Sequence, residues 1–112
     1  MTTLSTHVLD TAHGRPAAGM RIRLWRDGDT ICRGETDADG RCPAIAARDD
    51  LGPGSYMLEF DVAEYFAAQG VELPDPPFLG TVSIEFGLAD AAGHYHVPLL
   101  VSPYGYSTYR GS

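Results

Sequence analysis

Two stretches of this chain concentrate side chains that could do chemistry. HYHVPLLVSPYGYSTYRGS, residues 94–112, holds two histidines, four tyrosines and an arginine, and LSTHVLD near the start carries His7. On a strand, side chains alternate between faces, so His94, His96 and Pro98 share one face and Tyr95, Val97 and Leu99 the other. The second set has the composition of a core, which turns His96 away from it or toward a subunit interface. In LSTHVLD the same alternation sets Leu4, Thr6 and Val8 against Ser5, His7 and Leu9. A neutral imidazole with an ordinary pKa near 6.5 can take a proton from water at pH 7. Three imidazoles on one face could instead hold an open zinc site. No Asp or Glu lies within the His-x-His stretch to orient such ligands, so the spacing makes a weak case for metal. Ser5, Ser102, Ser107 and Ser112 sit in no Gly-x-Ser-x-Gly elbow, and with no lysine present Schiff-base chemistry on a lysine amine is excluded. Arg41, after Asp39-Gly40, reads either as a solvated turn residue or as a fork of donors for a developing oxyanion.

The elements that must position these groups are mostly strands. MRIRLWR alternates Met20, Ile22 and Leu24 with Arg21, Arg23 and Trp25; SYMLEF places Tyr56, Leu58 and Phe60 on one face; TVSIEF does so with Val82, Ile84 and Phe86. Turn signals separate them: RDGD at 26–29, DADG at 37–40, GPG at 52–54, PDPP at 74–77 and DAAG at 90–93. This spacing suits a sandwich. DVAEYFAAQG breaks the pattern and predicts one short helix, with Asp61 as N-cap, Glu64 three residues on and Gly70 as the stop.

With 112 residues a single domain, 1–112, is expected. The net charge of −7 argues against nucleic acid and anionic membranes as partners. No apolar run approaches the roughly 20 residues of a membrane span, and MTTLSTHVLD does not read as a signal peptide, so a cytoplasmic location is expected. Cys32 and Cys42 form no paired framework and no Cys-x-x-Cys, which suits packed or idle thiols in a reducing compartment.

STHVLDTAHGRPAAGMRIRL and YHVPLLVSPYGYSTYRGS closely resemble the two signature blocks of the 5-hydroxyisourate hydrolase family, transthyretin-related enzymes of urate breakdown. TDADGRCP and GSYMLEFDVAEYFAAQG are similar to the same family in the same order, and the terminal YRGS is the most specific element. PPFLGTVSIEF departs from the usual pattern. The resemblance implies a mostly-β fold: a two-sheet antiparallel β-sandwich of the transthyretin (prealbumin) type with one short helix. It implies hydrolysis of 5-hydroxyisourate to 2-oxo-4-hydroxy-4-carboxy-5-ureidoimidazoline, a cyclic-amide hydrolysis without metal or organic cofactor. His7, Arg41 and His96 match the catalytic trio, and Tyr109, Arg110, Gly111 and Ser112 match the terminal tetrapeptide. By the same resemblance His7, Arg41, Tyr109, Arg110 and Gly111 would bind substrate, and Ser112 would contribute its hydroxyl or its terminal carboxylate. His13 receives no duty, and His94 is at most a neighbour. The resemblance further implies a homotetramer, a dimer of dimers, with pockets in the channel where dimers meet. A non-catalytic small-ligand carrier on the same sandwich is the alternative: it needs no general base, and transthyretin itself lacks the YRGS ending.

Overall fold

Period-two alternation builds this chain into strands, and the computed structural model describes residues 2–89 and 92–111. In chain order these form β1 (Thr3–Asp10), β2 (Arg15–Pro16), β3 (Arg21–Arg26), β4 (Asp29–Glu35), α1 (Pro43–Ala46), β5 (Gly54–Asp61), α2 (Val62–Ala68), β6 (Thr81–Leu88), β7 (His94–Ser102) and β8 (Gly105–Thr108). Two four-stranded sheets result, ordered β2-β1-β7-β8 and β4-β3-β5-β6. Every pairing is antiparallel except β1 with β7, which run parallel over their whole length. That parallel pair joins segments from opposite ends of the chain, and it decides where the site forms.

The core lies between the sheets. Leu4 and Val8 of β1, Ile22 and Leu24 of β3, Leu58 and Phe60 of β5 and Leu99 of β7 are all at most 1% exposed, so the faces expected to be apolar are the buried ones. Thr6, also inward, donates its hydroxyl to the carbonyl of Val97 at 2.7 Å, which removes the cost of burying it. Between β3 and β4 the expected RDGD turn is a two-residue hairpin in which Asp27 and Gly28 both take positive φ, 52° and 82°, the conformation that matches the twist of paired strands.

The expected helix is α2, and Gly70 ends it with φ 84°; the wrap lets the Val71 N–H close onto the Phe66 carbonyl at 3.1 Å. Its start corrects the expectation. Asp61 makes no side-chain cap bond, because its carboxylate is taken by Arg23, whose Nη2 and Nη1 donate to Oδ1 at 2.6 Å and Oδ2 at 3.0 Å. Glu64 faces Arg21 at 3.3 Å instead of closing a capping box. A second helix, the single turn α1, was not expected; Pro43 starts it with the φ a first turn needs, and Ile45 anchors it in the core. Cys32 and Cys42 are free thiols, the second buried and its pKa pushed up by burial. No described helix is long and apolar enough to cross a membrane.

Candidate active site

Parallel pairing of β1 with β7 sets Thr3 beside His94, Ser5 beside His96 and His7 beside Pro98. Because Leu4, Thr6 and Val8 point inward, Thr3, Ser5 and His7 must point outward, and on β7 His94 and His96 do the same. The outer face of the first sheet is therefore a polar row rather than a greasy one. Thr3 Oγ1 lies 2.6 Å from His94 Nδ1, Ser5 Oγ lies 3.3 Å from His94 Nε2, and Ser5 Oγ lies 2.8 Å from His96 Nδ1. With Nδ1 held by Ser5, His96 has only Nε2 left for a ligand.

Arg41 reaches this face through a knotted turn. Asp37 Oδ1 accepts the backbone N–H groups of Asp39 at 2.9 Å and Arg41 at 3.0 Å, and the Asp37 N–H donates to the Arg41 carbonyl at 2.8 Å. The turn docks on β1 through an antiparallel bridge between His7 and Arg41 and a 2.8 Å bond from the Val8 N–H to the Gly40 carbonyl. Only glycine fits at position 40: its φ is 79°, and a Cβ there would lie 2.3 Å from the Val8 carbonyl oxygen. His7 is held by the same turn, for its Nε2–H donates to the Asp39 carbonyl at 2.7 Å. A carbonyl only accepts, so in neutral His7 the lone pair is on Nδ1.

The chain end arrives along β7. β8 pairs Leu99 with Thr108, and the same register continues to a bridge between His96 and Gly111, whose N–H donates to the His96 carbonyl at 2.7 Å. A Cβ at position 111 would sit 2.6 Å from His96 Cδ2. The tail lies flat against the imidazole because residue 111 has no side chain.

Burial lowers the pKa of His96, and the Arg41 charge, with smaller contributions from the His7 and His94 rings, lowers it further. It is neutral at pH 7, as a proton acceptor must be. Among the described residues no carboxylate pairs with the Arg41 guanidinium, so its charge is available to a ligand. A hollow of about 240 Å³ lies beside Arg41 and Ser5, between them and the α1 turn at Pro43 and Ala46; His7 and His96 border it from outside its lining. A larger hollow of about 530 Å³ lies on the second sheet beside Trp25, Met57 and Glu85, where no imidazole is present to act as a base. Among the described residues no group of three or more His, Cys, Asp or Glu side chains converges as metal ligands would.

His7, Arg41, His96 and Gly111 are thus brought together. Arg110 is not: its Cζ stacks 4.2 Å from the Tyr95 ring centroid, and Tyr95 is an inward residue, so within one chain the guanidinium is on the far side of β7 from His96. It borders a cleft of about 360 Å³ between the edge strands β6 and β8. Tyr109 is 60% exposed and falls opposite Pro98 in the continued register. Ser112 lies outside the described residues. Ser5 was missed as the partner of His96, and His94, expected at most as a neighbour, reaches it through Ser5. Polar residues at the outward positions 3, 5, 7, 94 and 96 were the available signal, but the contact between residues 5 and 96 depends on a parallel pairing that neither stretch announces.

The model of the HIUase/Transthyretin family matches residues 4–111. The chain belongs to that family. Within it, the chain is 51% identical to the 5-hydroxyisourate hydrolase of Caulobacter vibrioides, an alignment covering 100% of both chains. It superposes on the Klebsiella pneumoniae 5-hydroxyisourate hydrolase with a TM-score of 0.85 at 38% identity, covering 100% of this chain and 94% of that one. An (S)-allantoin synthase structure superposes with a TM-score of 0.91 at 42% identity, covering 99% of this chain and 44% of the synthase. The transthyretin-type sandwich expected from the sequence is the fold of this family member.

Proposed function

We propose that this protein hydrolyses 5-hydroxyisourate to 2-oxo-4-hydroxy-4-carboxy-5-ureidoimidazoline in urate degradation. The observation that carries the reading is the pair of backbone bridges, His7 with Arg41 and His96 with Gly111, which gather an uncharged imidazole, a guanidinium with no carboxylate partner among the described residues and the YRG segment on one sheet face. His96 takes a proton from water as the water oxygen attacks the ring carbonyl. Arg41 donates to the carbonyl oxygen as it becomes an oxyanion, then a carboxylate. The carbon–nitrogen bond breaks, and the departing nitrogen takes a proton back. His7, held through Nε2 by the Asp39 carbonyl, offers Nδ1 to substrate. Gly111 meets substrate beside His96, the resemblance assigns Tyr109 and Ser112 to the same site, and Arg110 adds positive field from a neighbouring subunit. The chain needs no metal or organic cofactor for this sequence of steps.

The working unit in this reading is a homotetramer, a dimer of dimers in the cytoplasm, with the outer faces of the β2-β1-β7-β8 sheets turned toward one another. An outward row of histidine, serine and arginine side chains suits a water-filled channel between such faces. A carrier reading also follows from a family that includes transthyretin; a carrier would keep its ligand affinity when residues 109–112 are removed, whereas the hydrolase would lose turnover. The deciding experiment generates 5-hydroxyisourate from urate in a cuvette and follows its ultraviolet decay. The protein is expected to speed that decay, with or without a strong chelator. Decay at the spontaneous rate would overturn the reading.

A further inference from the structure

Thr3, His94, Ser5 and His96 form an unbroken line of hydrogen-bonding atoms on the outer face of β1 and β7, with separations of 2.6, 3.3 and 2.8 Å. Each link has two polarities, because a hydroxyl both donates and accepts and a neutral imidazole has one donor and one acceptor nitrogen. In the first polarity His96 Nδ1–H donates to Ser5 Oγ, the Ser5 hydroxyl donates to His94 Nε2, and His94 Nδ1–H donates to Thr3 Oγ1. His96 Nε2 then carries the lone pair.

We infer that Ser5 is the positioning residue of His96, fixing Nε2 as its proton-accepting atom, and that Ser5 and His94 form a proton store behind it. This rests on the hydrolase reading above. When water's proton arrives at Nε2, the Nδ1 proton of His96 passes to Ser5 Oγ while the Ser5 hydroxyl proton passes to His94 Nε2. His94 becomes the imidazolium, and His96 is left neutral with its proton on Nε2. As the ring carbon–nitrogen bond breaks, His96 gives that proton to the departing nitrogen and the two transfers reverse. One proton enters at Nε2 and one leaves there, so the line ends as it began.

The placement of charge favours this route. The groups facing His96 are His94 on its own strand, Ser5 and His7 on β1, Arg41 on the docked turn, and the Gly111 backbone. His96 is half-buried beside the Arg41 cation, a poor place for a second positive charge, while His94 is exposed, where water stabilises it. The direction of the His96 shift, downward through burial and then Arg41, agrees.

Ser5→Ala and Ser5→Thr test the inference in the full-length protein, with kcat, KM and the pH profile for 5-hydroxyisourate and imidazole ¹⁵N NMR of the unliganded protein. Ser5→Ala is expected to lower kcat about tenfold to a hundredfold with KM within about twofold, and to move the acid limb to lower pH, because the imidazolium loses an acceptor. NMR should show His96 carrying its proton on Nδ1 in the parent and shifting toward Nε2 in Ser5→Ala. Ser5→Thr, which keeps the hydroxyl, should restore kcat to within about threefold. His94→Gln should lower kcat while leaving the His96 tautomer unchanged. A Ser5→Ala protein with parental kcat, limb and tautomer overturns the inference, as does a Ser5→Thr protein as impaired as Ser5→Ala. If the parent itself fails to hydrolyse 5-hydroxyisourate, the hydrolase reading falls, and the NMR comparison still decides whether Ser5 sets the tautomer.

Discussion

The two sheets carry similar residue types on their outer faces and use them in opposite ways. On the β4-β3-β5-β6 sheet, Arg23 is 20% exposed and its guanidinium is fully engaged, with Nε 2.6 Å from Glu59 Oε1 and Nη2 2.6 Å from Asp61 Oδ1. These carboxylates raise its pKa, and the Arg23 hydrogen bonds hold that of Asp61 below the usual range. On the β2-β1-β7-β8 sheet, Arg41 meets no carboxylate among the described residues. The histidines, all on or beside the β2-β1-β7-β8 sheet, differ in their partners. His13 Nδ1 lies 2.6 Å from the buried Asp10 carboxylate, whereas His96 Nδ1 lies 2.8 Å from a neutral hydroxyl and the Arg41 cation is nearby. Where the guanidinium is half-buried against two carboxylates, as at Arg23, it serves the fold; where a cation stands beside imidazoles with no carboxylate among the described residues, as at Arg41, it is left for a ligand.

His96→Asn should break the contrast most severely. Removal of the acceptor is expected to cost about 10²- to 10⁴-fold in kcat/KM, measured by 5-hydroxyisourate decay, with thermal stability close to that of the parent because His96 is on the outer face. A comparable loss from His13→Asn would erase the distinction, since His13 is spoken for by Asp10.

Gly111→Ala asks whether the chain end matters through its shape. The added methyl would overlap His96 Cδ2 at 2.6 Å, so the ring or the tail must shift. A displacement on the order of 1 Å can cost about a hundredfold in rate, and turnover should fall by that order with the melting temperature little changed. Activity near the parental level would mean that the tail does not set the position of His96.

Much of this arrangement was legible in the sequence, and what was hidden has a common cause. Inward faces of β1, β3, β5, β6 and β7 follow from alternation, because each sheet has one dry side. The helix at Val62–Ala68 and its stop at Gly70 were readable as local signals. Asp61 was misread as a cap because its real partner, Arg23, is 38 residues away and is delivered by strand register. The same holds for Ser5 and His96, 91 residues apart. α1 is a single turn, too short to show a helical period. Residue types that could do chemistry were visible; which were neutralised by a distant partner was not, and that difference separates Arg41 from Arg23.

A pair of arginine substitutions sharpens the point by crossing over. Arg41→Lys keeps the charge and loses the planar fork, so kcat/KM should drop about tenfold or more with folding intact. Arg23→Met should do the reverse: Glu59 and Asp61 lose their partner while largely buried, which should cost about 2–4 kcal/mol of stability in chemical denaturation, with activity per folded molecule near parental. If Arg23→Met lost activity before stability, the second sheet would belong to the site as well.

The smallest effect probes the fold's own carboxylate. Asp10 is buried at the end of β1, and burial alone would raise its pKa. The hydrogen bonds from His13 and Tyr65 outweigh that and leave it lowered from 3.8. Tyr65 donates to Asp10 Oδ2 at 2.8 Å, and burial, followed by this bond, raises its pKa from 10.0 to about 12. The two groups act at opposite ends of the pH scale. A carboxyl whose folded pKa is depressed contributes stability that is present above pH 3.8 and lost as pH falls through the lower folded value. A phenol whose folded pKa is raised contributes stability that is full below pH 10 and lost as pH rises toward 12. Tyr65→Phe should therefore lower stability at pH 7 by about 1 kcal/mol, or about 4 °C in melting temperature. It should also flatten the alkaline decline between pH 10 and 12 and bring the acid decline closer to pH 3.8, because Asp10 loses a donor. Turnover should be untouched, since Tyr65 and Asp10 are buried and spend their polar groups on each other and on His13.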